Sequence, residues 1–241
     1  MGRGLSVGPG SMEGLRWLAR IGPCPLDAWR SAMNWSEVAA RSHARRLESR
    51  GWLARQAMVR GDGCLFWATR SGTAEARVPA RPIRRVTPAM WHQHCATAWM
   101  ASWLKLRGHD VLGPRELLEL PRWAAEIRWH DYGGTHITTH RPDLIAITQN
   151  GARVPIEIKL TRQTTAGLRA VLFQYAGWYH AGMSGGPLYV CATDHDSELI
   201  RKHARHVGLT EGDGGLRIEL AGAIKRQALE MFRERRTATA E

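Results

Sequence analysis

Two apolar runs, Pro142-Asp-Leu-Ile-Ala-Ile-Thr148 and Val154-Pro-Ile-Glu-Ile-Lys-Leu160, are joined by a turn that contains Asn150-Gly151. Asn-Gly between such runs is a strong signal of a β-hairpin, so the two runs are predicted to pair as antiparallel strands. Side chains alternate between the two faces of a strand, and the aliphatic residues of the second run therefore share one face. Glu157 and Lys159 project together from the other face.

The charged residues of this hairpin have the chemistry of a divalent-metal site. Asp143 opens the first strand, and thirteen residues separate it from Glu157. Both carboxylates are hard oxygen ligands for Mg²⁺ or Mn²⁺, and the carbonyl of Ile158 can add a ligand. Lys159 would orient or deprotonate a water molecule and stabilise charge on a phosphorane. The residue types therefore favour metal-dependent chemistry on a phosphodiester.

This pattern, Pro-Asp followed by Glu-x-Lys on the partner strand, resembles the PD-(D/E)xK nuclease superfamily. The resemblance implies a restriction-endonuclease-like αβββαβ core and an endonuclease that hydrolyses DNA phosphodiester bonds with Mg²⁺ or Mn²⁺. Strand character is also expected at 110–113 and 123–129. The order of the expected elements agrees with that core: a helix at 88–107, three strands ending at 160, a helix at 164–183 and an apolar strand at 187–193.

Two further residues are candidates for this site. Gln174 resembles the glutamine of the Q-x-x-x-Y element of RecB-like nucleases, where the amide supports the catalytic centre, although the tyrosine of that element is replaced or shifted here. Glu126 is the expected upstream acid for a second metal ion, with Glu116 and Glu119 as alternatives.

The chain also resembles the replication-relaxation family of actinobacterial plasmids and mobile elements, whose members join an N-terminal winged helix to a domain of this kind. The matching residues are His94, Trp123 with Glu126, Arg141-Pro142-Asp143 and Glu157-Ile-Lys159. Such proteins often carry aspartate after the glutamate, whereas this chain carries Lys159, which favours an active nuclease. The resemblance places His94 near the site.

The other histidines receive no catalytic assignment from the sequence. His92 lies in the same tryptophan-rich helix as the catalytic candidate His94, and the two are not interpreted as zinc ligands. His130, His136 and His140 are expected in a glycine-containing loop that precedes Asp143.

Charge is concentrated in the first third of the chain. The whole sequence holds 34 basic and 22 acidic residues, a net charge of +12, and residues 1–88 contribute 15 arginines against six acids. Arginine binds phosphate through two parallel hydrogen bonds and stays charged when partly buried. The excess of arginines over acidic residues therefore predicts a polyanionic partner. A basic, proline-containing linker at 77–88 divides the expected domains 1–76 and 89–241.

The first domain is predicted to be a winged helix-turn-helix. Helices are expected at 11–21, 25–33 and from Ser36 to about 50, followed by a hairpin of 52–59 and 64–69. On the third helix, Ala40, Ala44, Leu47 and Gly51 form the expected inward stripe. The predicted DNA-binding residues lie on the opposite face and on the wing: Arg41, Ser42, Arg45, Arg46, Arg50 and Arg60.

Composition excludes several other classes of protein. No apolar run approaches the roughly 18 residues that span a bilayer, and the first residues lack the apolar stretch of a signal peptide. The four cysteines are far apart and predict neither a zinc ribbon nor a disulfide framework. We expect a cytoplasmic α+β two-domain protein that binds double-stranded DNA, with a homodimer possible. The alternative is a non-catalytic replication or transcription regulator with a nuclease-like fold.

Overall fold

A computed structural model describes residues 7–57, 63–83, 85–161 and 164–238, and it shows a mixed α+β fold. The N-terminal elements are α1 (Pro9–Ile21), β1 (Cys24–Pro25), α2 (Leu26–Met33), α3 (Glu37–Ser49), β2 (Leu53–Ala57), β3 (Cys64–Ala68) and α4 (Arg70–Ala76). The later elements are α5 (Trp91–Leu106), β4 (Asp110–Leu112), α6 (Pro114–Leu117), β5 (Ala125–Asp131), β6 (Gly134–His140), β7 (Leu144–Ile147), β8 (Arg153–Lys159), α7 (Thr165–His180), β9 (Leu188–Cys191), α8 (Asp194–Arg205), β10 (Arg217–Leu220) and α9 (Ala221–Ala238).

The N-terminal elements form a helical layer on a three-stranded sheet of order β1-β3-β2. Helix α3 begins where the Ser36 side chain accepts a hydrogen bond from the backbone N–H of Ala39 at 3.2 Å. It ends before Gly51, whose φ of +69° lies in the left-handed region that glycine adopts without strain. The inward stripe is confirmed for the alanines and the leucine, whereas Gly51 lies beyond the helix and is exposed.

The larger sheet has the order β10-β9-β8-β7-β4. The predicted hairpin is confirmed, because β7 pairs antiparallel with β8 and Leu144 lies opposite Ile156. Strands β9 and β10 continue the sheet in parallel, and β4 closes its other edge in antiparallel pairing with β7. The apolar residues of one face pack with α5 and α9, and those of the other face pack with α7 and α8.

One expectation for the strands is wrong. Residues 134–140, interpreted as loop, form β6, which pairs with β5 in a separate two-stranded sheet. Most side chains of β6 are exposed threonines and half-buried histidines, so the strand lacks the apolar alternation by which a half-buried strand is recognised. Of the two strands expected before the hairpin, residues 110–112 join the large sheet, whereas residues 125–131 do not.

The N-terminal and C-terminal parts share one hydrophobic core. Buried residues of α1 and α2 belong to the same cluster as those of α5 and α9, and the Ser102 hydroxyl donates to the carbonyl of Ala28 at 3.1 Å. At Gly113 the backbone passes so close to α1 that an added Cβ would lie 2.1 Å from the Arg20 carbonyl oxygen. Within the described ranges, no helix is long and apolar enough to cross a membrane.

Candidate functional site

Asp143 lies immediately before β7, at the point where the pairing of β7 with β8 ends. We call this point the fork. The backbone N–H of Asp143 donates to the Ile156 carbonyl at 2.9 Å. Strand β8 continues past this point, and the Ile158 N–H donates to Oδ2 of Asp143 at 2.7 Å. Backbone geometry therefore fixes one oxygen of this carboxylate against the free edge of β8.

Glu157 lies beside this fork and is held by three side chains. It is only 2% exposed. Its Oε1 atom accepts a hydrogen bond from the Tyr175 hydroxyl and lies 3.0 Å from Nε2 of His140. The other oxygen, Oε2, lies 3.1 Å from Nζ of Lys159. The sequence-predicted pair Glu157 and Lys159 thus shares one face of β8, as strand periodicity requires.

The two carboxylates differ in their electrostatic environment. Burial and the like charge of Glu157 raise the pKa of Asp143 to about 7. Burial acts in the same direction on Glu157, but Lys159, His140 and Tyr175 outweigh it and lower the Glu157 pKa to about 2. Among the described residues, no ion pair involves Asp143. The Ile158 N–H, Lys159 and His140 also lower the Asp143 pKa, but they do not outweigh burial and the charge of Glu157. Protein groups therefore compensate Glu157 fully and Asp143 only in part.

Lys159 is held in its charged form. Burial alone would lower its pKa, but the neighbouring Glu157 and Asp143 carboxylates raise the pKa above its ordinary value. This arrangement favours a lysine that orients and donates, and it disfavours the alternative role of general base. Lys159 also lines a cleft of about 260 Å³ with Thr165, His195 and Asp196, which opens this end of β8 to solvent.

The carbonyl of Ile158 already has one partner. Nε2 of Gln93, on α5, donates to it at 3.1 Å. A carbonyl oxygen has two lone pairs, so this bond leaves one available to a further ligand. Gln93 was not selected from the sequence, where its neighbour His94 was the candidate.

The structure does not bring the remaining candidates to this cluster. Gln174 and Glu126 instead line a separate pocket of about 640 Å³ between β5, α7 and α8. His94 is partly buried next to Arg115, and burial with this neighbouring charge lowers the His94 pKa to about 4. In the described part of the chain, neither Gln174 nor His94 forms a hydrogen bond with the cluster.

The alternative upstream acids have structural partners. Glu116 is buried, pairs with Arg20 at 2.8 Å and accepts a hydrogen bond from the Gly113 N–H at 2.9 Å. Glu119 pairs with Arg81 at 2.7 Å on the surface. Both carboxylates stabilise the junction between the N-terminal and C-terminal parts.

Comparison of the chain with protein-family models, curated proteins and solved structures returns no match. What the site can do must therefore be argued from its own chemistry.

The candidate ligands near Asp143 fit a hard divalent cation because all of them are oxygen donors. Asp143 is a partly compensated carboxylate beside a second carboxylate and a backbone carbonyl, all of them oxygen donors of the kind that Mg²⁺ and Mn²⁺ prefer. Within the described part of the chain, no three His, Cys, Asp or Glu side chains group as a metal site. Mg²⁺ usually keeps several waters and takes one or two protein carboxylates, so two carboxylates satisfy its ordinary requirement.

The predicted DNA-binding residues of α3 differ in their surroundings. Arg41 is paired with Glu37 at 2.7 Å along the helix, and Arg50 lies over the Trp52 ring at 6.0 Å. Arg45 is exposed and Arg46 and Ser42 are half-buried, and no described acidic residue forms an ion pair with either arginine. Arg60 lies outside the described residues.

Sequence reasoning missed three residues that contact the cluster: Tyr175, His140 and Gln93. Tyr175 continues the buried stripe of Leu168, Val171 and Leu172 along α7, and a tyrosine on a buried stripe needs a partner for its hydroxyl. That stripe was a usable signal. The sequence around His140 carries no comparable pattern, because the residues of β6 do not alternate between apolar and polar.

Proposed function

We propose that this chain is a DNA-binding endonuclease that depends on Mg²⁺ or Mn²⁺, built from an N-terminal winged helix and a PD-(D/E)xK-like domain. The observation that carries the proposal is the Asp143–Glu157–Lys159 cluster at the fork of two strands, with one carboxylate lacking a cationic partner among the described residues. In a buried site a charged carboxylate is costly unless a cation or a proton neutralises it.

Each residue of the cluster has a task in phosphodiester hydrolysis. Asp143, Glu157 and the Ile158 carbonyl would hold the ion, and the chemistry that the ion supplies when bound is neutralisation of phosphate charge. Lys159, kept protonated by the two carboxylates, would donate to a phosphate oxygen and to the attacking water. Tyr175 and His140 hold Oε1 of Glu157, so Oε2, which lies next to Lys159, is the oxygen that would be available to the ion.

The N-terminal elements support the DNA-binding half of the proposal. The order of three helices and a β2–β3 hairpin on a small sheet is that of a winged helix, in which the third helix enters the major groove. Arg45 and Arg46 on α3 offer charge that no described acid neutralises. The large share of positive charge in residues 1–88 supports the same assignment.

The test is cleavage of supercoiled plasmid with Mg²⁺ or Mn²⁺ by the wild-type chain, Asp143→Asn and Lys159→Ala. We expect cleavage by the wild type alone, with a loss of about 10²-fold or more in each variant, because each removes a group that acts on developing charge. Glu119→Gln, which changes a surface acid that pairs with Arg81, is the matched control and should cleave normally. Equal activity in all these proteins, or none in any, would refute the nuclease proposal.

One observation favours the second candidate, a non-catalytic DNA-binding regulator with a nuclease-like domain. Glu157 is almost fully buried and already accepts from Tyr175, His140 and Lys159, so the cluster can also be a self-sufficient polar core. Calorimetric titration with Mn²⁺ separates the two candidates. A regulator of this kind would bind DNA and no Mn²⁺, whereas the nuclease binds both.

A further inference from the structure

The β5–β6 hairpin is a separate two-stranded sheet with one packed face and one open face. On the packed face, Ile127 is buried against α7, and the Trp129 ring stacks on His136 with centroids 5.1 Å apart. On the open face, Arg128 and His130 of β5 are exposed, and they lie opposite Ile137 and Thr135 of β6. The hairpin therefore presents a complete sheet face to solvent.

The exposed face carries apolar groups that the fold does not use. Tyr132, at the turn, is fully exposed, and Ile137 is 53% exposed. Scattered exposed apolar residues are ordinary in proteins, but Ile137 shares a face with an arginine, a histidine and two threonine hydroxyls, and Tyr132 lies in the turn that ends this face. The combination of a cation, hydroxyl donors and an aromatic tip is that of surfaces that contact phosphates and base edges.

Charge distinguishes the possible occupants of this face. Its one acid, Glu126, lies 3.9 Å from Arg128 and opposite Thr139, at the end of the hairpin nearest the core. Asp131 belongs to the packed face, where it pairs with His136. The described residues of the outer half of the open face, Arg128, His130, Thr135 and Ile137, include no acid. A polyanion therefore fits this half better than the surface of a neutral or basic protein, including a second copy of this chain.

The base of the hairpin leads directly to the candidate catalytic cluster. His140 is the last residue of β6, and its Nε2 atom lies 3.0 Å from Glu157 Oε1. Seven residues of each strand extend the hairpin by about 23 Å. A two-stranded ribbon of this size fits the major groove of B-form DNA, which is about 12 Å wide.

We propose that the open face of the β5–β6 hairpin is a second DNA-binding surface, which takes duplex DNA beside the cleavage site. The proposal rests on the proposed function for the identity of the partner. It adds that the duplex contacts two elements of the chain, α3 at one end and the hairpin next to Glu157.

The test measures binding of a fluorescein-labelled 30-base-pair duplex by anisotropy, in EDTA so that no cleavage occurs, at several salt concentrations. Arg128→Ala with Tyr132→Ser should raise Kd about tenfold and lower the salt slope by about one, because the variant neutralises one phosphate fewer. Thr135→Asp should weaken binding further by adding negative charge. All three side chains are exposed, so the variants keep the packed face intact.

Two matched controls come from the same chain. Arg217→Ala removes an exposed arginine on the edge strand β10 of the large sheet and should leave Kd within twofold. Glu126→Gln reverses the charge argument, because it removes the acid beside Arg128 and should lower Kd. Light scattering of each variant reports whether the face instead holds a second copy of the chain.

The outcomes separate this proposal from the proposed function. Wild-type binding that the hairpin variants do not change overturns the hairpin surface and leaves the endonuclease proposal intact. Weakened binding in a chain that never cleaves DNA supports the hairpin surface and removes the nuclease. A dimer that dissociates in the hairpin variants, or no binding of duplex by the wild type, also overturns the surface.

Discussion

Nε2 of His140 lies 3.0 Å from Oε1 of Glu157, and the same oxygen accepts a hydrogen bond from the Tyr175 hydroxyl. Two donors on one oxygen fix the rotation of the carboxylate, so that Oε2 lies next to Lys159 and would be available to the proposed ion. Partners of this kind orient metal ligands, and their loss typically costs 10- to 100-fold in metal affinity or activity.

Tyr175→Phe should therefore lower both Mn²⁺ affinity, measured by calorimetry, and the rate of plasmid cleavage by about 10- to 100-fold. The phenylalanine keeps the ring packed against Trp178 and Tyr189, so the loss reports on the hydroxyl. Tyr189→Phe is a matched control, because the Tyr189 hydroxyl is buried and has no hydrogen-bond partner among the described residues. Equal effects of the two substitutions would contradict the positioning role of Tyr175.

Asp143 makes the stability of the metal-free protein depend on pH. Its pKa is raised to about 7 in the folded chain, against about 3.9 in an unfolded one. The fold thus favours the protonated acid, and the stability that this preference contributes is present below pH 4 and lost as pH rises to 7. Asp143→Asn removes the charge and should raise the melting temperature relative to wild type by more at pH 8 than at pH 5.

Thermal unfolding in EDTA at the two pH values measures this difference. Asp213→Asn is the control, because a backbone N–H from Gly215 lowers the Asp213 pKa and keeps that exposed acid ionised at both pH values. Its effect on the melting temperature should be the same at pH 5 and pH 8. If the change in melting temperature that Asp143→Asn causes is the same at pH 5 and pH 8, the charge of Asp143 is not destabilised by its neighbours.

Local patterns predicted more of the fold than of the site. The β7–β8 hairpin and the shared face of Glu157 and Lys159 follow from a turn signal and strand periodicity, both of which act within a few residues. Pairing of β4 with β7, and of β5 with β6 outside the large sheet, depends on contacts between distant segments. The exposed threonines of β6 carry no periodic signal for that pairing.

Each of the two candidates on helices, Gln174 and His94, lies one position away from the residue that contacts the cluster. Gln174 was expected where Tyr175 lies, and His94 was expected where Gln93 contacts Ile158. One residue turns a helix by about 100°, so an error of one position moves the side chain to another face. The rotation of a helix about its axis is set by packing, for example by the buried stripe that includes Tyr175, and a motif alone does not determine it.

The α3 arginines should control the salt dependence of DNA binding. Arg45→Ala with Arg46→Ala is expected to weaken binding and to lower the slope of log K against log salt by about 0.9 for each phosphate that the variant no longer neutralises. Arg41→Ala should have a smaller effect, because Glu37 already neutralises that guanidinium at 2.7 Å. An unchanged slope in the double variant, measured by anisotropy on the 30-base-pair duplex, would refute the placement of DNA on α3.

Arg20 should stabilise the junction between the N-terminal elements and the rest of the fold. It pairs with the buried carboxylate of Glu116 at 2.8 Å and donates to the Val111 carbonyl at 2.6 Å. Arg20→Met would leave Glu116 buried without its cation and should lower the free energy of unfolding by about 2 kcal/mol or more, measured by urea denaturation. Arg81→Met breaks the exposed pair with Glu119 and should cost less than about 1 kcal/mol. Equal costs for the two substitutions would mean that burial of Glu116 does not strengthen the junction.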